Sequence, residues 1–145
     1  MKSYKLREMT EGDLEFVLQW RNHPAIRNVS GSNLHISRDE QYLWFNCSTD
    51  TLKFIFTEEE KPLGVIISDA NDYWGFYLDP SIDRHRGLGR LMLSLFLVHA
   101  KERNFKEIKA KVNKTNEGSH VLHKSLGFQV RGIYSNGDIE YRKGL

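Results

Sequence analysis

The sequence has one cysteine, no long apolar run and little net charge, and each shortage excludes a class of protein. Cys47 is the only cysteine in 145 residues, which rules out an internal disulfide or a cysteine-rich zinc site. We expect it to be a small buried apolar residue. No apolar run approaches the roughly 20 residues that span a bilayer. Because the start MKSYKLREMT also lacks the apolar region of a signal peptide, we predict a cytoplasmic protein without a membrane partner.

The charges of the chain are nearly balanced. Its 21 lysine and arginine residues stand against 19 aspartate and glutamate residues, for a formal net charge of +2. Nucleic-acid-binding proteins normally carry a concentrated basic face, so this balance argues against a nucleic-acid partner. With 39% hydrophobic residues, the chain can bury one core but not two. We therefore expect a single domain over residues 1–145.

Hydrophobic periodicity and turn signals predict the order of the elements. Strands are expected over residues 4–9, 51–57, 63–68, 73–79, 105–112, 128–134 and 139–143. Helices are expected from Thr10 to His23, over 38–47, over 88–104 and over 116–126. In the third helix, the apolar spacing places Leu88, Leu91, Leu95 and Val98 on one face. This order predicts a mixed α/β fold, with about four helices on a largely antiparallel sheet of six to seven strands.

The octet DRHRGLGR leads into the long apolar helix. A helix N-terminus carries unpaired backbone N–H groups and a positive partial charge, so a glycine-rich turn before it suits an anion. Gly87 and Gly89 lack the Cβ atoms that would keep an anion away from the backbone. Positive charge or donors come from Arg84, His85, Arg86 and Arg90. A pyrophosphate would fit, and the alternative is a basic loop whose glycines only help the turn to pack.

Two blocks of the sequence resemble a known family. Arg84-x-x-Gly87-x-Gly89, between an aromatic strand and a long apolar helix, resembles the acetyl-CoA-binding motif of GNAT-family N-acetyltransferases. The segment Asn116-x-x-Ser119-x-x-Leu122-His123-x-x-Leu126-Gly127-Phe128 is similar to the family's N-x-x-A-x-x-L-Y-x-x-x-G-F. The resemblance implies the GNAT fold, with acetyl-CoA as the acetyl donor.

The resemblance also implies where the cofactor would bind. Backbone amides at the helix start, with nearby side chains, would hold the CoA diphosphate; the residues implied are Arg84, His85, Arg86, Gly87, Leu88, Gly89 and Arg90. Asn116 would contact the pantetheine arm. The backbone of Phe76, Tyr77 and Leu78 would pair with that arm where neighbouring strands splay apart.

Acetyl transfer from a thioester to an amine needs a donor for the developing oxyanion and protonation of the leaving thiolate. The resemblance implies the backbone N–H of Leu78 as the oxyanion donor. His123 stands where many family members have a tyrosine that is regarded as the general acid, and a histidine can also donate a proton. The alternative is that His123 only orients the thioester or packs beside it. No base is assigned, because Glu40, Asp79 and Asp83 could equally cap helices or face water. The histidine spacing predicts no metal.

The segment LQWRNHPAIRNVS carries recognition chemistry for the acceptor. Its candidate substrate-binding residues are Trp20, Arg21, Asn22 and Arg27, and Trp44 in the next helix is a candidate apolar wall. An indole offers a stacking face and an arginine a bidentate grip on phosphate, which suits a nucleotide-linked sugar. Core packing is the alternative for both tryptophans.

The pattern WRNHPxxR, followed by ISRDEQxxWF, resembles one group of GNAT enzymes. Those enzymes acetylate the 4-amino group of a UDP-linked aminosugar in pseudaminic acid synthesis, for flagellin and other surface glycans. Related ribosomal-protein acetyltransferases also carry a Trp-Arg near this point, so a protein or peptide acceptor stays open. A non-catalytic acyl-CoA-binding domain and a homodimer stay open as well.

Overall fold

The computed structural model describes residues 2–28, 34–48, 51–82 and 87–145. Its strands are β1 (Tyr4–Glu8), β2 (Leu52–Glu58), β3 (Lys61–Ser68), β4 (Trp74–Leu78), β5 (Glu107–Val112), β6 (Gln129–Ile133) and β7 (Ile139–Gly144). Its helices are α1 (Leu14–Asn22), α2 (Pro24–Arg27), α3 (Arg38–Cys47), α4 (Leu88–Glu102) and α5 (Glu117–Ser125), with a 3₁₀ turn at Glu11–Asp13. The mixed α/β architecture and the predicted order of the strands are confirmed.

The helix boundaries follow from local capping. Ser37 accepts a hydrogen bond from the Glu40 N–H at 3.1 Å and Glu40 accepts one from the Ser37 N–H at 3.3 Å, which is the predicted capping box. His23 leaves the helical region with ψ of 136° and ends α1 as predicted. The sequence analysis missed α2, which begins at Pro24 because proline is well suited to the first helical position.

The strands form two antiparallel sheets that meet along one line. The four-stranded sheet has the order β1-β2-β3-β4, and the three-stranded sheet has the order β5-β7-β6. A parallel bridge between Tyr73 and Lys109 joins them, and the Lys109 N–H donates to the Asp72 carbonyl at 2.8 Å. In the described residues no ladder continues past this bridge, so β4 and β5 separate and leave a gap.

α4 lies against one face of the sheets and carries the main core. Its buried residues include Leu88, Met92, Phe96 and Ala100, spaced four apart along one row of the helix. The predicted stripe was wrong at Val98, which is 56% exposed. At about 100° per residue, Val98 lies roughly 200° around the axis from Phe96, on the solvent side.

A second, smaller core lies on the opposite face of the four-stranded sheet. Met9, Leu14, Val17, Ile55 and Val65 are buried there under α1 and α3. Cys47, which we expected to be buried, is exposed at the last position of α3. No helix in the described ranges is both long and apolar enough to cross a membrane.

Candidate active site

The gap between β4 and β5 presents an unpaired backbone edge. The Asp79 N–H donates to the Leu63 carbonyl at 2.7 Å, so Asp79 points its backbone groups toward β3. Backbone groups alternate in direction along an antiparallel strand, which turns those of Leu78 and Phe76 away from β3 and into the gap. The structure therefore places the predicted oxyanion donor, the Leu78 N–H, on the side that an extended pantetheine arm would occupy.

The start of α4 lies at one end of this edge. Gly87 is the N-cap residue, with a φ of 71° that favours glycine. The amides of Leu88, Gly89 and Arg90 follow in the first turn, where backbone N–H groups have no acceptor within the helix. In the part of the chain that the structure describes, a Cβ at Gly89 would meet only Leu122 Cδ2, at 3.9 Å. This cradle fits a diphosphate; Asp83, Arg84, His85 and Arg86 lie outside the described residues.

Asn116 is the N-cap of α5, and its Oδ1 accepts a hydrogen bond from the Ser119 N–H at 3.2 Å. Capping uses the oxygen of the amide group, while the NH₂ end keeps its two donors. A donor in this position suits the carbonyl groups of pantetheine, as the resemblance implies. Ser119 is half-buried one turn into α5, and its hydroxyl lies 3.3 Å from His123 Nδ1.

His123 is a core residue in the structure, with 1% of its surface exposed. The Trp74 indole N–H donates to His123 Nε2 at 3.0 Å, and His123 Nδ1 donates to the Ser119 carbonyl at 2.7 Å. Burial lowers the pKa of His123, so the ring is neutral near pH 7. With both nitrogens engaged in the interior, the geometry does not support the general-acid role; it agrees with the packing alternative.

The opposite side of β4 faces the acceptor segment. Tyr77 packs against the core beneath α1 and α3, whereas Phe76 and Leu78 pack against the core of α4. Burial raises the pKa of Tyr77, and the nearby positive charge of Arg21 lowers it in part. The positive charge of Arg21 therefore acts on the Tyr77 phenol, and Tyr77 precedes Leu78 along β4.

The other predicted acceptor residues have mixed roles. Asn22 is held by the chain itself: its Nδ2 donates to the Ile36 carbonyl and its Oδ1 accepts from the Ile36 N–H, both at 2.8 Å. These two hydrogen bonds make Asn22 a tether between α1 and the segment before α3, and its contact with the substrate stays a prediction. Trp20 and Trp44 are half-buried against the smaller core, which matches the core-packing alternative in part. Arg27 is half-buried in α2.

Two of the three candidate bases, Asp79 and Glu40, have structural partners. Asp79 Oδ1 accepts hydrogen bonds from the Ser81 N–H and hydroxyl, at 2.9 and 2.8 Å. Glu40 completes the capping box of α3. Asp83 lies outside the described residues. The part of the chain that the structure describes holds no group of three or more histidine, cysteine, aspartate or glutamate residues suited to a metal ion.

The sequence analysis missed one polar cluster, the Glu140 cluster, formed by Tyr73, Tyr134, Glu140 and Arg142. Glu140 Oε1 accepts hydrogen bonds from the hydroxyls of Tyr73 and Tyr134, the second at 2.8 Å. Glu140 Oε2 accepts from the Arg142 guanidinium, whose Nε lies at 2.8 Å. The alternation in IEYRK indicates that Glu140 and the buried Tyr141 lie on opposite faces of one strand. It does not predict the contact of Glu140 with Tyr73, because the two residues are 67 positions apart in the sequence.

Comparisons with known proteins agree with this geometry. Residues 4–129 match the model of the acetyltransferase (GNAT) domain family. A domain from Methanocaldococcus jannaschii superposes with a TM-score of 0.90 at 22% identity, over 100% of each chain. The aminoglycoside acetyltransferase AAC(6')-Ib in complex with coenzyme A gives a TM-score of 0.83 at 16% identity, over 98% of this chain and 95% of the other.

A third similar structure is a ribosomal L7/L12 alpha-N-protein acetyltransferase in complex with coenzyme A. Its TM-score is 0.77 at 17% identity, over 99% of this chain and 94% of that one. No curated protein sequence gives a significant match. At these identities the solved structures show the fold, while the family model covers most of the chain. The chain therefore belongs to the acetyltransferase (GNAT) domain family and is an acetyl-CoA-dependent N-acetyltransferase.

Proposed function

We propose that this enzyme acetylates the amino group of a nucleotide-linked aminosugar, of the UDP-4-amino-4,6-dideoxy-sugar type used for bacterial surface glycans and flagellin, in the cytoplasm. The observation that carries the proposal is the positive charge of Arg21 on the acceptor side, which acts on Tyr77, the neighbour of the proposed oxyanion donor Leu78. An arginine can grip a phosphate through two parallel hydrogen bonds. A nucleotide acceptor supplies such phosphates, whereas an uncharged amine does not.

The described groups around the gap support this choice by their charge. On the acceptor side of the sheets, the basic residues are Arg21, Lys109, Lys111 and Arg142, and the aromatic residues are Trp20, Tyr73, Tyr77 and Tyr134. The carboxylates of Glu107 and Glu140 on this side both pair with Arg142. A basic, aromatic surface attracts an anionic nucleotide and repels a cationic peptide terminus or aminoglycoside.

Different residues of the chain would bind the cofactor, stabilise the developing negative charge and admit the amine. Bound acetyl-CoA supplies the thioester whose acetyl group is transferred. The first-turn amides of α4 would hold its diphosphate, and the backbone edge at Phe76 and Leu78 would hold its extended arm. The Leu78 N–H would donate to the carbonyl oxygen as negative charge develops there, and a fixed amide needs no reorganisation to do so. The amine would enter from the side of Arg21 and Tyr77.

Turnover with defined acceptors tests the proposal. The enzyme is incubated with acetyl-CoA and UDP-4-amino sugars, and free CoA and the acetylated sugar are measured; a UDP-sugar whose amine is already acetylated is the control. We expect CoA release only with the free amine. Absence of sugar turnover, with acetylation of peptide N-termini instead, would reject the proposal in favour of a protein acceptor. Turnover with neither sugar nor peptide would mean that the enzyme acts on another class of amine.

Substitution of Arg21 sharpens the test. Arg21→Lys keeps the charge but loses the planar fork, so we expect the KM for the nucleotide sugar to rise about tenfold while the KM for acetyl-CoA stays the same. Arg38→Lys is the matched control, because Arg38 forms an exposed ion pair with Glu15 on the outer helices. Equal effects of the two substitutions on the KM for the nucleotide sugar would mean that Arg21 does not bind the acceptor.

A further inference from the structure

The Glu140 cluster lies on the acceptor side of the sheets. Side chains alternate along β4, so Tyr73 shares a face with Tyr77 and faces away from Trp74, which is buried in the core of α4. On β7, Tyr141 is buried in that same core, so its neighbour Glu140 faces the other way. The hydrogen bond between Tyr73 and Glu140 joins the two sheets on this face. It lies at the bridge between Tyr73 and Lys109, which is the vertex from which the gap opens.

The direction of the hydrogen bonds in this cluster follows from the charge of Glu140. Hydrogen bonds from Tyr73, and also those from Tyr134 and Arg142, lower the pKa of Glu140 to about 2 despite its burial. The carboxylate is therefore ionised and can only accept, so both tyrosine hydroxyls donate their protons to it. A hydroxyl that donates to a carboxylate becomes a better acceptor itself, and its oxygen keeps lone pairs for another partner.

The two rings are also held in place. Lys109 Nζ lies 4.8 Å from the centre of the Tyr73 ring, and Lys111 Nζ lies 4.5 Å from that of Tyr134. Both tyrosines are half-buried. A shallow cavity of about 170 Å³ lies next to Tyr134 and is lined by Gly132, Ile133, Tyr134 and Glu140. Tyr134, which lines this cavity, shares Glu140 Oε1 with Tyr73, so the cavity continues from the Tyr73 side of the gap.

We propose that Tyr73 and Tyr134 are acceptor-positioning residues. With their protons committed to Glu140, their oxygens accept hydrogen bonds from hydroxyl or N–H groups of a polyhydroxylated amine that lies from the gap toward the cavity. This inference rests on the proposed function for the class of acceptor. The two tyrosines give the acceptor a second point of attachment, across the vertex from Arg21, so that the reacting amine is held from two sides.

Tyrosine-to-phenylalanine substitutions test the proposal, since they remove only the oxygen. We expect Tyr73→Phe and Tyr134→Phe each to raise the KM for the acceptor about tenfold, with a smaller change in kcat and none in the KM for acetyl-CoA. Tyr141→Phe is the control: it lies on the same strand as Glu140, and its hydroxyl donates to His120 Nδ1 at 2.7 Å on the opposite face. It should change thermal stability without changing the acceptor KM.

Other outcomes would overturn the proposal. An unchanged acceptor KM in both variants, or a rise in both KM values that follows a loss of stability, would make the cluster purely structural. If a variant does not fold, NMR of the wild-type enzyme with ring-labelled tyrosine answers the same question, because addition of acceptor should shift the Tyr73 and Tyr134 signals and their constancy would reject the proposal. If UDP-aminosugars give no turnover, the proposed function fails, and the tyrosines are judged on the amine that the enzyme acetylates.

Discussion

At the scale of the residue, His123 shows how burial decides what an ionisable group can do. A histidine is shorter than the tyrosine that the family has at this position, and here its ring lies among Trp74, Phe128 and Tyr141. Its two nitrogens pair with the buried indole N–H of Trp74 and with the backbone carbonyl of Ser119. The ring is thereby part of the core, and its role as a proton donor stays a prediction that its burial does not favour.

We predict that His123→Phe acts mainly on stability. The change leaves the Trp74 N–H without its acceptor, so the free energy of unfolding should fall by about 1–3 kcal/mol. The wild type and the variant should have the same profile of kcat against pH, because burial lowers the pKa of His123 and keeps its ring neutral. Denaturant titration and initial rates from pH 6 to 9 measure both effects. A selective loss of kcat at full stability would restore His123 as a proton donor.

Asn22 is the second residue whose role burial and contacts decide. Asn22→Ala removes two hydrogen bonds to the backbone of Ile36, in the connection that leads into α3. We expect a loss of about 1–3 kcal/mol of unfolding free energy, with no change in the KM for acetyl-CoA. Thermal denaturation and steady-state kinetics check this. A variant that keeps its stability but no longer binds the acceptor would return Asn22 to the substrate site.

At the scale of the element, the start of α4 is marked by residues close together in the sequence, but the open space beside it is formed by the tertiary structure. The glycines and the long apolar run identify the helix entrance from the sequence alone. The open space above Gly89 could not be predicted, because it depends on where Leu122 of α5 lies. The same dependence explains the error at Val98, since apolar periodicity does not tell which row of a largely apolar helix faces the sheet.

Gly89→Ala should have opposite effects on stability and on binding. Among the described residues a methyl group here meets nothing closer than 3.9 Å, and it favours helix formation, so the unfolding free energy should stay the same or rise by about 0.5–1 kcal/mol. The KM for acetyl-CoA should rise about tenfold, because the methyl group would stand where the diphosphate approaches the amides. Calorimetric unfolding and titration with CoA give the two numbers.

Gly118→Ala is the matched control for that prediction. Gly118 occupies the first turn of α5, and a Cβ there would come no closer than 4.0 Å to Asn116 Oδ1. It should give a similar gain in helix stability without the loss of CoA binding. Unimpaired CoA binding by Gly89→Ala would place the diphosphate away from the start of α4.

At the scale of the whole molecule, the two sheets are joined by polar contacts that respond to acid. The pKa of Glu140 is about 2 in the folded protein, against an ordinary value of 4.5, because Tyr73, Tyr134 and Arg142 donate to it. A carboxyl group with a depressed folded-state pKa stabilises the fold above its ordinary pKa, and this contribution is lost as pH falls through 4.5 toward 2.

We therefore predict that the unfolding free energy of the wild type falls steeply below about pH 5, and that Glu140→Gln makes this fall shallower. Denaturant titrations at pH 7, 5, 4 and 3 would show the difference in slope. Glu15→Gln is the control, because the Glu15 side chain is 55% exposed and pairs with an exposed arginine. Parallel curves for wild type and Glu140→Gln would mean that Glu140 does not hold the sheets together in this way.

The sequence by itself determined the order of the elements, the helix caps, the motif at the start of α4 and the family, because these depend on residues close to one another along the chain. Only the tertiary structure decided which side chains meet. It brings Tyr73 to Glu140, it lets the charge of Arg21 act on Tyr77, and it turns His123 into the core. Such contacts depend on how two sheets diverge from one bridge, and strand periodicity carries no information about that geometry.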